Sequence, residues 1–309
     1  MSWQHTERPS FGLTNKLSTS IATILAKSNT PNLRNSPTLM CISDYSGEHP
    51  TGRWNIASFL LLNPDKCIDW EYARQHLRSK WFRDGRRMSY KKLNDIQRRR
   101  ALLDFLIAAD QIDGVCVTFA VDKSIETLFT EDSSMDEFPH LSWPNHIFER
   151  AMRIIHFASF LIAGLSAEHQ NLIWITDEDA IAANHDRLRE FVDISKPVLS
   201  NYLSHTLGHV RIGTTELDSG DRSIEDLAAI PDLVAGFLSE CLTEMLSDQL
   251  MPVRGVISPI PRGVVQKAKN LAAWYANPNS RMTRKLCAIT PAPSGQGLLT
   301  SWIQFHAFI

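Results

Sequence analysis

Cysteine is scarce in this chain and never paired. Five cysteines (Cys41, Cys67, Cys116, Cys241 and Cys287) are scattered over 309 residues, with no C-x-x-C among them. That spread argues against a disulfide framework or a thiolate zinc site, and points to reduced core thiols in a cytoplasmic protein. Long hydrophobic runs are missing as well. The longest, "IIHFASFLIAGL" over 154–165, is too short to cross a bilayer and contains His156, so no membrane association is expected. No basic flank followed by an apolar block opens the sequence, so no secretory leader is expected. Three signatures of common chemistries are absent: G-x-x-x-x-G-K-[ST], G-x-S-x-G and H-E-x-x-H. Acid is also missing from one whole region. From residue 249 onward there is no Asp or Glu, while Arg254, Arg262, Lys267, Lys269, Arg281, Arg284 and Lys285 all occur.

What is present is a globular composition, 43% hydrophobic and 21% charged, with a formal charge of −2. The total conceals a second basic block, "KWFRDGRRMSYKKLNDIQRRR" over 80–100, with nine Lys or Arg against two Asp. Trp81, Phe82 and Tyr90 are interleaved with these cations. Cations can follow a phosphate backbone and rings can stack on bases. Arg86, Arg87, Tyr90, Lys91 and Lys92 are therefore the candidate nucleic-acid contacts.

Residues 1–36 are polar and turn-rich, with a helical candidate near 15–27, and read as an N-terminal extension. Short apolar runs bounded by turn signals predict strands over 38–44, 53–63, 114–121, 171–180 and 209–220. Helices are expected over 68–79 and 93–112, forming a helical insertion (64–112) between strands two and three. A long helix over 146–165 is apolar nearly all round in its second half, which implies burial against a sheet. Further helices are expected over 185–203, with a break near Pro197, and over 223–246, with Pro231 marking the first turn. Residues 251–309 hold one more helix (262–276) and an apolar end. They read as a basic extension packed on the same domain, serving as a further β element, a lid or a dimer contact. The chain is expected to be one α/β domain over 37–250, a mixed five-stranded sheet flanked by helices.

Three carboxylates stand at telling places. Asp44 ends the first strand, Asp177 ends the fourth, and Asp232 follows Pro231. If strands one and four are neighbours, their carboxyl ends lie side by side, where open α/β sheets bind ligands. Converging carboxylates repel unless a cation neutralises them, and hard oxygen donors suit Mg²⁺ or Mn²⁺. Two such ions stabilise both the attacking and the leaving oxygen of a phosphodiester. His49, close after Asp44, is a loop histidine within reach of that point.

The segments "ISDYSG", "WITDED" and "AAIPDLVAGFLSE" resemble the bacterial family known as domain of unknown function 3800, a member of the ribonuclease H-like superfamily. The resemblance covers roughly 38–245, and Tyr45 stands where that family carries Glu. It implies a ribonuclease H-like sheet and makes Asp44, Asp177 and Asp232 ligands of a two-metal Mg²⁺ or Mn²⁺ site. Glu149 is the candidate for the glutamate that some members add from the first long helix. The implied activity is a metal-dependent nuclease, or other phosphodiester-processing enzyme, in a prokaryotic defence or mobile-element setting. The alternative is a catalytically inactive module on the same fold that binds nucleic acid, a nucleotide or a protein partner. A homodimer or a partner protein is open in either case.

Overall fold

The computed structural model describes residues 3–6, 12–47, 52–129, 141, 143–247, 256–257, 263–294 and 296–305. Strands β1 (Thr38–Ser46), β2 (Trp54–Leu62) and β3 (Gly114–Asp122) form an antiparallel meander. β4 (Asn171–Ile175) lies parallel to β1, and β5 (Val210–Gly213) lies parallel to β4. The sheet then continues beyond β3. β7 (Thr283–Pro291) pairs parallel to it, β8 (Leu298–Phe305) pairs antiparallel to β7, and the two-residue β6 (Val256–Ile257) closes the edge. The full order is β5-β4-β1-β2-β3-β7-β8-β6.

This corrects the expected five-stranded sheet. The acid-free C-terminal segment is a further β element, because "TRKLCAITP" buries seven of its nine positions against β3 and the layers on either face. Strands covered on both faces lose the polar alternation that marks a half-exposed strand. β3, for example, is buried at all nine positions.

Two helical layers cover the sheet. Helices α1 (Gly12–Ala26), α4 (Asn145–Leu165) and α5 (His185–Tyr202) share one core with Leu39 and Cys41 of β1. Helices α2 (Ile68–Trp81), α3 (Ile96–Ala109), α6 (Ser223–Ser247) and α7 (Gln266–Ala276) share the other with Met40 and Ile42. Alternate residues of a strand point to opposite faces, so one strand serves both cores. α4 is buried at every position from Ala151 to Leu165, and its Phe157 stacks on Phe119 at 4.1 Å. All five cysteines are buried and free. Among the described residues no helix is long and apolar enough to cross a membrane.

Two expectations about proline are corrected. Pro197 lies inside a continuous α5, and Pro231 lies inside α6 rather than in its first turn. The start of α6 is fixed upstream by side-chain caps. Asp218 Oδ2 accepts from Ile224 N (2.8 Å) and Glu225 N (3.1 Å), and Asp221 Oδ1 accepts from Ser223 N (3.1 Å). These bonds satisfy backbone donors that a helix leaves open at its first turn. Pro231 then denies a partner to only one carbonyl, one turn back.

α2, part of the helical insertion, is tied to α6 by buried charge. Asp226, 1% exposed, accepts from Arg78 Nε (2.5 Å) and Nη2 (2.6 Å), and from Arg74 Nη1 (3.3 Å). Arg74, 2% exposed, also reaches the Asp221 carbonyl at 2.8 Å. Removing one partner of such a group leaves the other charged and buried, which costs about 3–5 kcal/mol. Asp226→Ala should lower unfolding stability by about 3 kcal/mol in urea titration, and it should loosen the insertion before the sheet.

Candidate active site

Asp44 lies on β1 on the same face as Met40 and Ile42, the face that α6 crosses. The β1–β4 ladder runs to Ile42↔Ile175, so Asp177 leaves the sheet beside Asp44. Asp232 lies in the interior of α6. The three side chains line one cavity of about 480 Å³. Arg87, Ser89, Lys91 and Lys92 from the insertion and Lys267 from α7 complete its wall.

The electrostatics set Asp44 apart. It accepts no hydrogen bond from a described residue. Its carboxyl is pushed well above the usual carboxylate range, first by burial, then by the charges of Asp232, Asp177 and Asp179, with Lys91 opposing. Asp177 is pushed up to about 6 by burial and by Asp179. Asp232 is also raised by burial. It is held down by the Tyr90 N–H, by Ser89 and by the Lys91 and Lys267 charges. Lys91 thus acts on two of the three acids.

The Tyr90 N–H donates to Asp232 Oδ2 at 2.8 Å and fastens the insertion to α6. The 3-10 turn Tyr90–Lys92 sits there because α6 has a notch at Gly236, one turn beyond Asp232. A Cβ at Gly236 would overlap the Tyr90 ring. Lys267 covers the ring with its ammonium 4.1 Å from the centroid and lies 3.6 Å from Glu240.

The expected site residues divide accordingly. Asp44, Asp177 and Asp232 come together. Glu149 does not join them. It lies on α4, across the sheet, and lines a different cavity of about 1040 Å³. There it accepts from Leu128 N (2.9 Å) and Arg153 Nε (2.7 Å), because the first turns of α4 pack on the loop after β3. Arg86 is engaged by Asp84 (2.5 Å) and Asp95 (3.0 Å), and Arg87 by Glu225 (2.8 Å). Tyr90 is buried between Gly236 and Lys267, which removes it as a stacking platform. Lys91 and Lys92 are exposed and form no salt bridge among the described residues. His49 lies outside the described residues. Lys267 and Ser89 were not singled out from sequence. Lys267 stood in the acid-free segment, and only the packing of α7 on α6 brings it to the cavity.

Among the described residues no three His, Cys, Asp or Glu side chains form a group that could hold a metal ion as they stand. The acids share a cavity without closing into a ligand shell. Their donor chemistry still fits a hard divalent cation: three carboxylate donors, mutually repelling, one of them accepting no hydrogen bond from a described residue.

Two tests follow. Gly236→Ala should cost about 1–3 kcal/mol in urea unfolding, despite the better helix propensity of alanine, and the loss should shrink in a Tyr90→Ala background. The second concerns pH. Asp177 is raised from 3.8 to about 6, so between those values the folded chain keeps a proton that the unfolded chain has released. The stability from this group is complete below its unfolded value and is lost as the pH rises through about 6. Without divalent cations, Asp177→Asn should therefore be more stable than wild type at pH 7.5, by about 1–2 kcal/mol, with the gap closing towards pH 4.

No known protein family and no curated protein matches this sequence. Among solved structures, the ribonuclease H2 of Pyrococcus horikoshii OT3 aligns over 78% of this chain and 100% of its own. The identity is 12% and the TM-score 0.33.

Proposed function

We propose that this chain is a nucleic-acid-processing hydrolase with a ribonuclease H-like core, cutting phosphodiester bonds with Mg²⁺ or Mn²⁺ held by Asp44, Asp177 and Asp232. One observation carries the reading. Asp44, near the end of β1 and accepting no hydrogen bond from a described residue, meets two more acids in a cavity walled by lysines. The parallel pairing of β1 with β4, which sets the first and fourth strands side by side, supports it.

A divalent cation bound there supplies Lewis-acid stabilisation of the charge that builds on the attacked phosphate. The chain's own residues do the rest. Lys91 stands within electrostatic reach of Asp44 and Asp232 and attracts a phosphate to the cavity mouth. Lys92 extends the same edge. The Tyr90 N–H fixes one oxygen of Asp232 and so orients that carboxyl group on the cavity wall.

The second reading is a catalytically inactive module that binds nucleic acid, a nucleotide or a protein partner. It is favoured by the absence of a closed ligand shell among the described residues. One experiment separates the two. Melting temperature is followed through Mn²⁺ and Mg²⁺ titrations of wild type and Asp44→Asn, with cleavage of labelled single- and double-stranded DNA and RNA in parallel. The enzyme reading expects stabilisation of about 2–3 kcal/mol at a hundredfold excess over the dissociation constant, since only the folded state binds the ion. Both the stabilisation and the cleavage should vanish in Asp44→Asn. A wild type that neither shifts nor cleaves leaves the binding module.

A further inference from the structure

The backbone ladder that aligns the two strand ends stops short of the acids. β1 pairs with β4 only as far as Ile42↔Ile175. Beyond that point β1 is held by β2, through Asp44↔Ser58 and Ser46↔Ile56. The chain leaving β4 turns the other way, and Thr176 N donates to the Gly213 carbonyl at 2.8 Å. Past Ile42 and Ile175, then, no backbone ladder bond sets how far Asp177 lies from Asp44.

Side chains take over where the ladder ends. The Tyr45 hydroxyl lies 2.9 Å from Thr176 Oγ1 and 2.6 Å from Ser43 Oγ. Trp174 Nε1 donates to Ser43 Oγ at 3.0 Å. Ser43, Tyr45, Trp174 and Thr176 are all buried. Tyr45 directly follows Asp44, and Thr176 directly precedes Asp177. A buried hydroxyl is costly unless bonded, and here each one is. The brace has a rigid backing. The Trp174 ring packs edge-on against Phe191 at 5.1 Å, and Arg150 holds Asp179 at 2.6 Å on the same loop.

We propose that Tyr45 is a positioning residue whose hydroxyl, bonded to Thr176, sets the separation of Asp44 and Asp177. A phenylalanine would fill the same space against α4 and α5. Only the hydroxyl reaches across to the segment that carries the second acid. The effect on metal affinity rests on the proposed function, while the tether itself does not.

The test uses the full chain as wild type, Tyr45→Phe, Thr176→Val, the double variant and Thr176→Ser. Two readouts are taken. The first is metal-free amide hydrogen exchange of the peptide spanning 174–182. The second is the Mn²⁺ concentration giving half of the maximal thermal shift. Tyr45→Phe and Thr176→Val should each speed exchange in that peptide. Each should also raise the half-effect Mn²⁺ concentration about tenfold, as loss of an outer partner of a metal ligand does. The double variant should add little to either single, and Thr176→Ser, which keeps the hydroxyl, should behave as wild type. Exchange at the wild-type rate in both single variants overturns the tether. Faster exchange with an unchanged Mn²⁺ requirement overturns the positioning role, because a purely structural brace would give that pattern. If wild type shows no Mn²⁺ shift at all, the functional reading fails, and the exchange arm alone decides the tether.

Discussion

Mutual repulsion among three carboxylates is what the site is built to contain. Asp44 comes from β1, Asp177 from the loop just after β4 and Asp232 from α6, and each is raised by burial. Left to solvent they would separate. They stay together because β1 and β4 run parallel side by side while α6 crosses over β1. That crowding makes the carboxyls keep their protons to higher pH than in solvent. On the proposed function, a divalent cation would take the place of those protons.

The insertion carries the counterweight. Much of its basic sequence serves internal pairing: Arg74 and Arg78 with Asp226, Arg86 with Asp84 and Asp95, Arg87 with Glu225. These pairs set the insertion against α6. The docked turn then presents Lys91 and Lys92 at the cavity and the Tyr90 N–H to Asp232. A cluster that reads in sequence as one binding surface is thus two things in space, a structural hinge-pin and a small remaining electropositive edge.

The sequence made the strand ends legible because short apolar runs ended in acids, and neighbouring strands bring such ends together. It misplaced Asp232 within its helix, because proline at a first turn is the commoner arrangement and the Asp218 cap lies in a stretch read as strand, with Asp221 just beyond it. Glu149 had a favourable position in the chain. Its side of the sheet depends on which face α4 covers, and a helix apolar nearly all round does not announce that. Tyr90 was an aromatic among cations, and only the Gly236 notch shows why its ring is buried. β7 was hidden for a different reason: it is covered on both faces and carries no alternating pattern to read.

The pairing of β3 with β7 joins residues far apart in the chain, Val115 with Thr283 for example. During synthesis, β3 therefore stands as a bare, largely apolar edge until β7 emerges. Such edges recruit other strands, and long-range parallel pairings form slowly. β7 emerges long after β3, so the nascent sheet depends on this distant segment to cover its edge against aggregation.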